Sequence, residues 1–323
     1  MTTPSVSERL QSPKHPDTLP QGQANPFTTE CMDISFDWLC PLGMVVQGSK
    51  FWDDFYVNFG DGKVQYPGYD TGSTVALGLD NTTGSGFQSK YPYLFGSLSM
   101  QLKLVGGNSA GTVTSYYMAS DRTQYPKWCE LDFEFLGNTS GEPYILQTNV
   151  FSEGVGNREQ RIYLWFDPIA DYHEYGILWN QDLILFVVDS RVIRVFYNAA
   201  YLGIPYLSYQ PMFIYSSIWN GESWATCGGG VKTDWSLQPF LASYTNFNVW
   251  NASEMREYTV SSSHACFEKL YSSSYGQAPN LALTQSQIDD LRWIRYNYVI
   301  YDYCTDLKRF NWIAPPECAL NWP

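Results

Sequence analysis

The sequence predicts an all-β fold, a sandwich or a barrel, on three observations. The first is composition. Aromatic residues make up 17% of the 323-residue chain and charged residues 16%, with 12 Trp and 25 Tyr, whereas a helical enzyme is richer in Leu, Ala, Glu and Lys. The second is pattern. Between residues 51 and 247 the segments LFGSLSMQLKLV, TVTSYYMA, ELDFEFLG, YILQTNVF and QRIYLWFD alternate apolar and polar positions or concentrate β-branched and aromatic residues. The third is spacing. EYGILWNQDLILFVVDSRVIRVF reads as a three-strand meander with turns at Asn180-Gln181-Asp182 and Asp189-Ser190, and many short strands separated by turns make a sandwich or a barrel.

The rest of the chain divides around that block. Residues 1–50 are an N-terminal extension, polar and Pro-rich in their first thirty positions and expected to be partly disordered. An apolar run from Phe36 to Val46 is too short to span a membrane. Residues 51–247 form the expected catalytic β-sandwich, 248–283 an irregular linker with two serine triplets, and 284–323 a C-terminal extension packed on the sandwich. The extension holds one expected α-helix: Thr284 and Gln287 make a capping box, and Ile288, Leu291 and Ile294 make one apolar stripe. YVIYDY at 298–303 returns to strand.

Charge and composition exclude several classes. A formal charge of −13 repels phosphate backbones, so no nucleic acid is expected as partner. No apolar run is long enough for a membrane span, and the start lacks a basic-then-apolar signal pattern. Seven cysteines and three histidines form no zinc-like cluster, so no metal and no cofactor are expected. Sequons occur at Asn81, Asn138 and Asn251.

Chemistry concentrates in WCELDFEFLGN, residues 128–138. On a strand Glu130, Asp132 and Glu134 share one face, while Leu131, Phe133 and Phe135 point the other way into a core. Three like charges in a row repel, which an ordinary strand gains nothing from. A retaining glycosidase needs two carboxyl groups roughly 5–5.5 Å apart across the scissile bond. Glu130 and Glu134 have Cα atoms about 13 Å apart on an ideal strand, and each leaning side chain recovers about 4 Å. The spacing therefore suits a nucleophile and an acid/base, with Asp132 between them to orient the nucleophile. Crowding also raises one Glu toward the range an acid catalyst needs. The competing reading is a solvated strand face that carries three acids.

The flanking sequence resembles plant xyloglucan endotransglucosylase/hydrolases of glycoside hydrolase family 16. The family motif HDEIDFEFLGN stands as WCELDFEFLGN here. Further matches are GSGFQSKYPYLFG (84–96), MQLKLVGGNSAGTVTSYYM (100–118), QTNVF (147–151), GNREQRIYLWFDP (156–168), SSIWNGESWATCGGGVKTDWS (216–236) and the tail NYVIYDYCTDLKRF…PPEC (297–318).

The resemblance implies a two-sheet jelly-roll, concanavalin A-like, with a concave glucan cleft. It makes Glu130 the nucleophile, Asp132 its helper and Glu134 the acid/base. It places sugar contacts at Tyr117, Gln147, Asn149, Arg161, Trp219, Trp224, Gly228 and Arg309, a glycan on Asn138, and a disulfide between Cys304 and Cys318. It further implies a monomer in the plant cell wall or apoplast, with polysaccharide donors and with poly- or oligosaccharide acceptors.

Four departures stand out. Trp128-Cys129 replaces His-Asp, with Trp128 expected on the catalytic face and Cys129 inside. Cys266 lacks its family partner near Trp250. Cys227 stands where Arg is usual. The loop between Tyr117 and Glu130 is longer. The short segment 152–161 favours transfer over hydrolysis by family pattern. An endo-β-glucan hydrolase acting on xyloglucan, mixed-linkage glucan or cellulose, or a non-catalytic glucan lectin, are the alternative functions.

Overall fold

The computed structural model describes residues 44–47, 50–67, 72–256, 258–272 and 282–320. Most of the expected N-terminal extension, including the polar first thirty residues, therefore lies outside the described residues. All described residues belong to one compact unit, 33–323.

The strands in chain order are β1 Met44–Gln47, β2 Phe55–Phe59, β3 Thr74–Leu79, β4 Ser85–Ser89, β5 Tyr93–Leu94, β6 Gly96–Lys103, β7 Thr112–Ser120, β8 Glu130–Leu136, β9 Ile145–Phe151, β10 Gln160–Tyr163, β11 His173–Trp179, β12 Leu183–Val188, β13 Arg191–Tyr197, β14 Met212–Asn220, β15 Phe240–Glu254 and β16 Val299–Asp302. They pair antiparallel throughout. One sheet runs β2-β4-β14-β7-β8-β9-β10-β16. The other runs β13-β12-β11-β6-β15, with β3 and β1 along the far edge of β15. This is the expected two-sheet jelly-roll sandwich.

Local chemistry explains the elements. The β11–β12 turn forms because Asn180 Oδ1 accepts from the backbone N–H groups of Asp182 and Leu183. Asp189 and Ser190 adopt left-handed φ of 48° and 66°, the combination a tight two-residue hairpin needs. The core forms where inward side chains of the two sheets meet. Phe133 and Phe135 on β8 are fully buried and meet Tyr175 of β11 edge-on at 5.9 and 4.7 Å. Phe133 also meets Phe186 of β12 at 5.2 Å. Each such ring contributes roughly 1.5–3 kcal/mol of burial, so β8 is pinned with its acidic face turned away from the core.

The C-terminal region departs from expectation in part. Residues 248–283 are not irregular throughout. Strand β15 runs on to Glu254, across the expected boundary at 247, and a helix α1 spans Val260–Ser272. The first serine triplet is the start of this helix. Thr259 Oγ1 accepts from the Ser262 N–H while Ser262 Oγ accepts from the Thr259 N–H, a reciprocal cap that satisfies otherwise orphaned donors. Cys266 and Leu270 then bury one face. Helix α2, Gln285–Asn297, begins at Thr284 with the expected capping box and buries Leu291 and Ile294. Strand β16 then adds to the edge of β10, so the chain's last part extends the acidic sheet.

Cys304 and Cys318 are bonded, with Cα atoms 5.5 Å apart. Cys266, which lacks the family partner near Trp250, is disulfide-bonded. Cys129 and Cys227 are free, the first buried and the second exposed. Among the described residues no helix is long and apolar enough to cross a membrane.

Candidate active site

Register builds the site. On β8 Glu130, Asp132 and Glu134 face one way. Their cross-strand neighbours are Ala119, Tyr117 and Ser115 on β7 and Phe151, Asn149 and Gln147 on β9. Arg161 on β10 is opposite Gln147, and Tyr301 on β16 is opposite Arg161. Tyr215 on β14 is opposite Tyr117, and the two rings stack at 5.0 Å. A single sheet face thus carries three carboxyls flanked by amides, a guanidinium and phenols.

The two glutamates are held differently. Gln147 Nε2 donates to Glu134 Oε2 at 2.6 Å, and Arg161 Nε donates to Gln147 Oε1 at 2.7 Å. Glu134 meets the cation only through a neutral amide. Burial lifts its carboxyl above the usual range; the Gln147 bond pulls it back, and Glu130 and Glu159 push it up. Glu130 instead accepts directly from Arg122 Nη2 at 3.1 Å.

Asp132 is 6% exposed. Burial, then Glu130 and Glu134, push its carboxyl well up, a bond shared with Glu130 adds to this, and Arg194 opposes it.

Buried side chains behind β9 brace this face. Asn149 Oδ1 accepts from the Arg158 N–H at 3.1 Å. Arg158 Nε pairs with Glu317 Oε1 at 2.7 Å, both side chains buried, and Glu317 adjoins the bonded Cys318. Arg194, fully buried on β13, reaches Thr148 beneath β9 and the carbonyl of Arg158.

One row beyond Glu134, Trp219 and Trp224 lie 6.0 Å apart over a small apolar cluster of Val113, Leu136 and Ala225. Arg309 donates to Glu159, Asn157 and the Tyr301 hydroxyl, which puts it at the Arg161 edge of the face. Gly228 is exposed at φ 63°, with open space where a Cβ would stand. Asn138 is partly buried just past β8, with Nδ2 bonded to the Pro143 carbonyl. Trp128 stacks on Phe151, the neighbour of Glu130, at 6.2 Å. Cys129 is buried, which raises its thiol to about 11, the behaviour of a structural thiol.

The family model of glycosyl hydrolases family 16 matches residues 51–237. The chain belongs to that family. A second model, the xyloglucan endo-transglycosylase (XET) C-terminus, matches residues 272–318. Xyloglucan endotransglucosylase protein 1 of Diospyros kaki is 49% identical over 275 residues, 85% of this chain and 90% of that protein. Xyloglucan endotransglucosylase/hydrolase protein 15 of Arabidopsis thaliana is 48% identical over 275 residues, 84% and 90% of the two chains. These matches place the protein in the plant xyloglucan endotransglucosylase/hydrolase family. Among solved structures, a prokaryotic β-1,3-1,4-glucanase from a mouse hindgut metagenome superimposes with TM-score 0.52 at 19% identity, over 65% of this chain and 99% of that one. It shares the fold.

Sequence reasoning missed Arg122, Tyr215 and the Arg158–Glu317 pair. Tyr215 had a legible signal, since it alternates with Trp219 on one strand. Arg122 lies on the long β7–β8 loop, where no periodic pattern places a side chain. Arg158 and Glu317 are 159 residues apart, a separation that no local pattern bridges.

Proposed function

We propose that the protein is a retaining endo-transglycosylase that cuts a β-1,4-glucan backbone, xyloglucan first among them, and passes the cut end to a second glucan or an oligosaccharide. The observation that carries this reading is the placement of three carboxyls on one face of β8, with a buried Asp132 between two partly exposed glutamates.

Glu130 attacks the anomeric carbon as the C1–O4 bond breaks. The electron pair goes to O4, which takes the proton of Glu134. Asp132 donates a hydrogen bond to Glu130 and holds it in place. In the second step Glu134, now a carboxylate, accepts the proton of an acceptor hydroxyl; the acceptor oxygen attacks C1 and Glu130 departs. A carboxyl lifted by burial is suited to both halves of this cycle.

Tyr117, Gln147, Asn149, Arg161 and Gly228 bond or face the sugars on this reading. Trp219 and Trp224 offer ring faces to an acceptor beyond Glu134. The short segment 152–161, at the Glu130 end of the face beside Phe151, favours transfer over hydrolysis by family pattern. Residues 51–247 supply the cleft, and 284–323 close its Arg309 end as an extension. The enzyme works as a single chain in the cell wall, on a neutral polymer that its negative charge does not repel.

Incubation with xyloglucan and a fluorescent xyloglucan oligosaccharide tests this. Label is expected to enter the polymer. New reducing ends with no labelled polymer would make the protein a hydrolase, and binding without either product would make it a lectin.

A further inference from the structure

The Glu130 end of the face carries a cation–aromatic pair that the scheme above leaves idle. Arg122 and Trp128 sit on the loop between β7 and β8. The Arg122 side chain is 61% exposed and that of Glu130 is 15% exposed, yet the guanidinium is held from two directions. It donates to Glu130 Oε2 at 3.1 Å, and its Cζ lies 4.3 Å from the Trp128 ring centroid.

The platform beneath it is fixed. Trp128 stacks on Phe151, its carbonyl accepts from the Gly154 N–H at 2.7 Å, and the next residue, Cys129, exchanges bonds with Ser120. The loop is braced at its other end too. Asp121 accepts from Thr123 and from the Tyr258 hydroxyl, and the Tyr125 hydroxyl meets Ser263 of α1 at 3.1 Å.

We propose that Arg122, seated on Trp128, is a positioning residue for the first covalent step: it keeps the negative charge on Glu130 rather than on Asp132. This rests on the catalytic reading above. Glu130 and Asp132 are adjacent acids on one face of β8, and neighbouring carboxyls that meet share a proton rather than both ionise. Only one assignment gives a nucleophile, with the proton on Asp132 and the charge on Glu130. The cations near the pair pull opposite ways. Arg194, under β9, favours charge on Asp132 but makes its hydrogen bonds to Thr148 and Arg158. Arg122 touches Glu130 itself, and a charge-assisted bond in contact outweighs a charge without contact. Glu134 has no such partner, so the effect belongs to glycosyl-enzyme formation and not to protonation of the leaving oxygen.

The test compares wild type, Arg122→Ala and Arg122→Lys on two donors: the polymer, and an aryl β-glycoside of the oligosaccharide whose leaving group needs no proton. Arg122→Ala is expected to slow glycosyl-enzyme formation at saturating aryl donor by about tenfold, the scale of one charge-assisted bond, with donor affinity little changed. Arg122→Lys recovers part of the rate, and guanidinium ion at non-denaturing concentration raises the rate of Arg122→Ala but not of wild type. An unchanged rate in Arg122→Ala, or a loss confined to the polymer donor, overturns the proposal. A wild type inactive on every donor would instead overturn the functional reading.

Discussion

The two ends of one seven-residue strand are built on opposite plans. At the Glu134 end the half-buried carboxyl is bonded to a neutral amide and separated from Arg161 by that amide. At the Glu130 end the carboxyl meets a guanidinium directly, and that guanidinium stands in solvent. The first arrangement lets a carboxyl carry a proton and give it up. The second sets a cation against the carboxyl oxygen itself. One strand thus presents two chemically identical residues in two different settings, because the partners that the β7–β8 loop and β9 bring to them differ; on the proposed reading these are the nucleophile and the acid.

The sharpest way to break this comparison is to delete each glutamate and change the leaving group. Glu130→Ala should lose transfer on polymer and aryl donors alike, by roughly four orders of magnitude or more, the scale of removing a nucleophile. Glu134→Ala should lose the polymer reaction but still form glycosyl-enzyme from the aryl donor, because that step no longer needs an acid. Mass spectrometry of the trapped intermediate reads the difference. Equal loss in both variants on the aryl donor would erase the distinction drawn here.

A second contrast concerns stability. The β9 flank of the face, level with Asp132 and Glu130, is braced from behind by the buried Arg158–Glu317 pair, which ties the C-terminal extension to the β9–β10 connection. Glu317→Ala leaves a guanidinium buried without its counter-charge and should cost about 3–5 kcal/mol in denaturant unfolding. Arg122→Ala removes an exposed pair and should cost no more than about 1 kcal/mol. If the two variants unfold alike, the buried pair does not brace the site in the way its geometry suggests.

How much of this was legible follows from the range of each interaction. The face of β8 could be read because a strand repeats every two residues, so ELDFEFL sorts its own acids from its own core. Helix α2 could be read because its cap and stripe are local. Helix α1 escaped because a serine triplet resembles a loop unless its hydroxyls are known to cap the N–H groups of a helix start. The brace at Glu317 and the clasp of Arg122 on Trp128 depend on chain segments that meet only after folding. A sequence shows that the β7–β8 loop is long; it does not show that the loop turns back onto the nucleophile.

The subtlest consequence lies in Asp132, between the two ends. Burial and two flanking glutamates push its carboxyl up, so the folded state holds its proton at pH values where the unfolded chain has released it. The folded state then binds more protons than the unfolded one, and the contribution of Asp132 to stability falls as pH rises. It is fully present below the ordinary Asp range and is lost as pH climbs through the raised folded value. Asp132→Asn keeps a hydrogen-bond donor beside Glu130 but has no proton to lose. Wild type and variant should therefore be close in stability in acid, with the variant gaining steadily toward neutral pH even as transfer is lost, because an amide cannot share a proton with the nucleophile. Thermal unfolding across that range decides it. A gap that stays constant with pH would mean that Asp132 is not protonated in the folded protein, and the division of labour along β8 would need another cause.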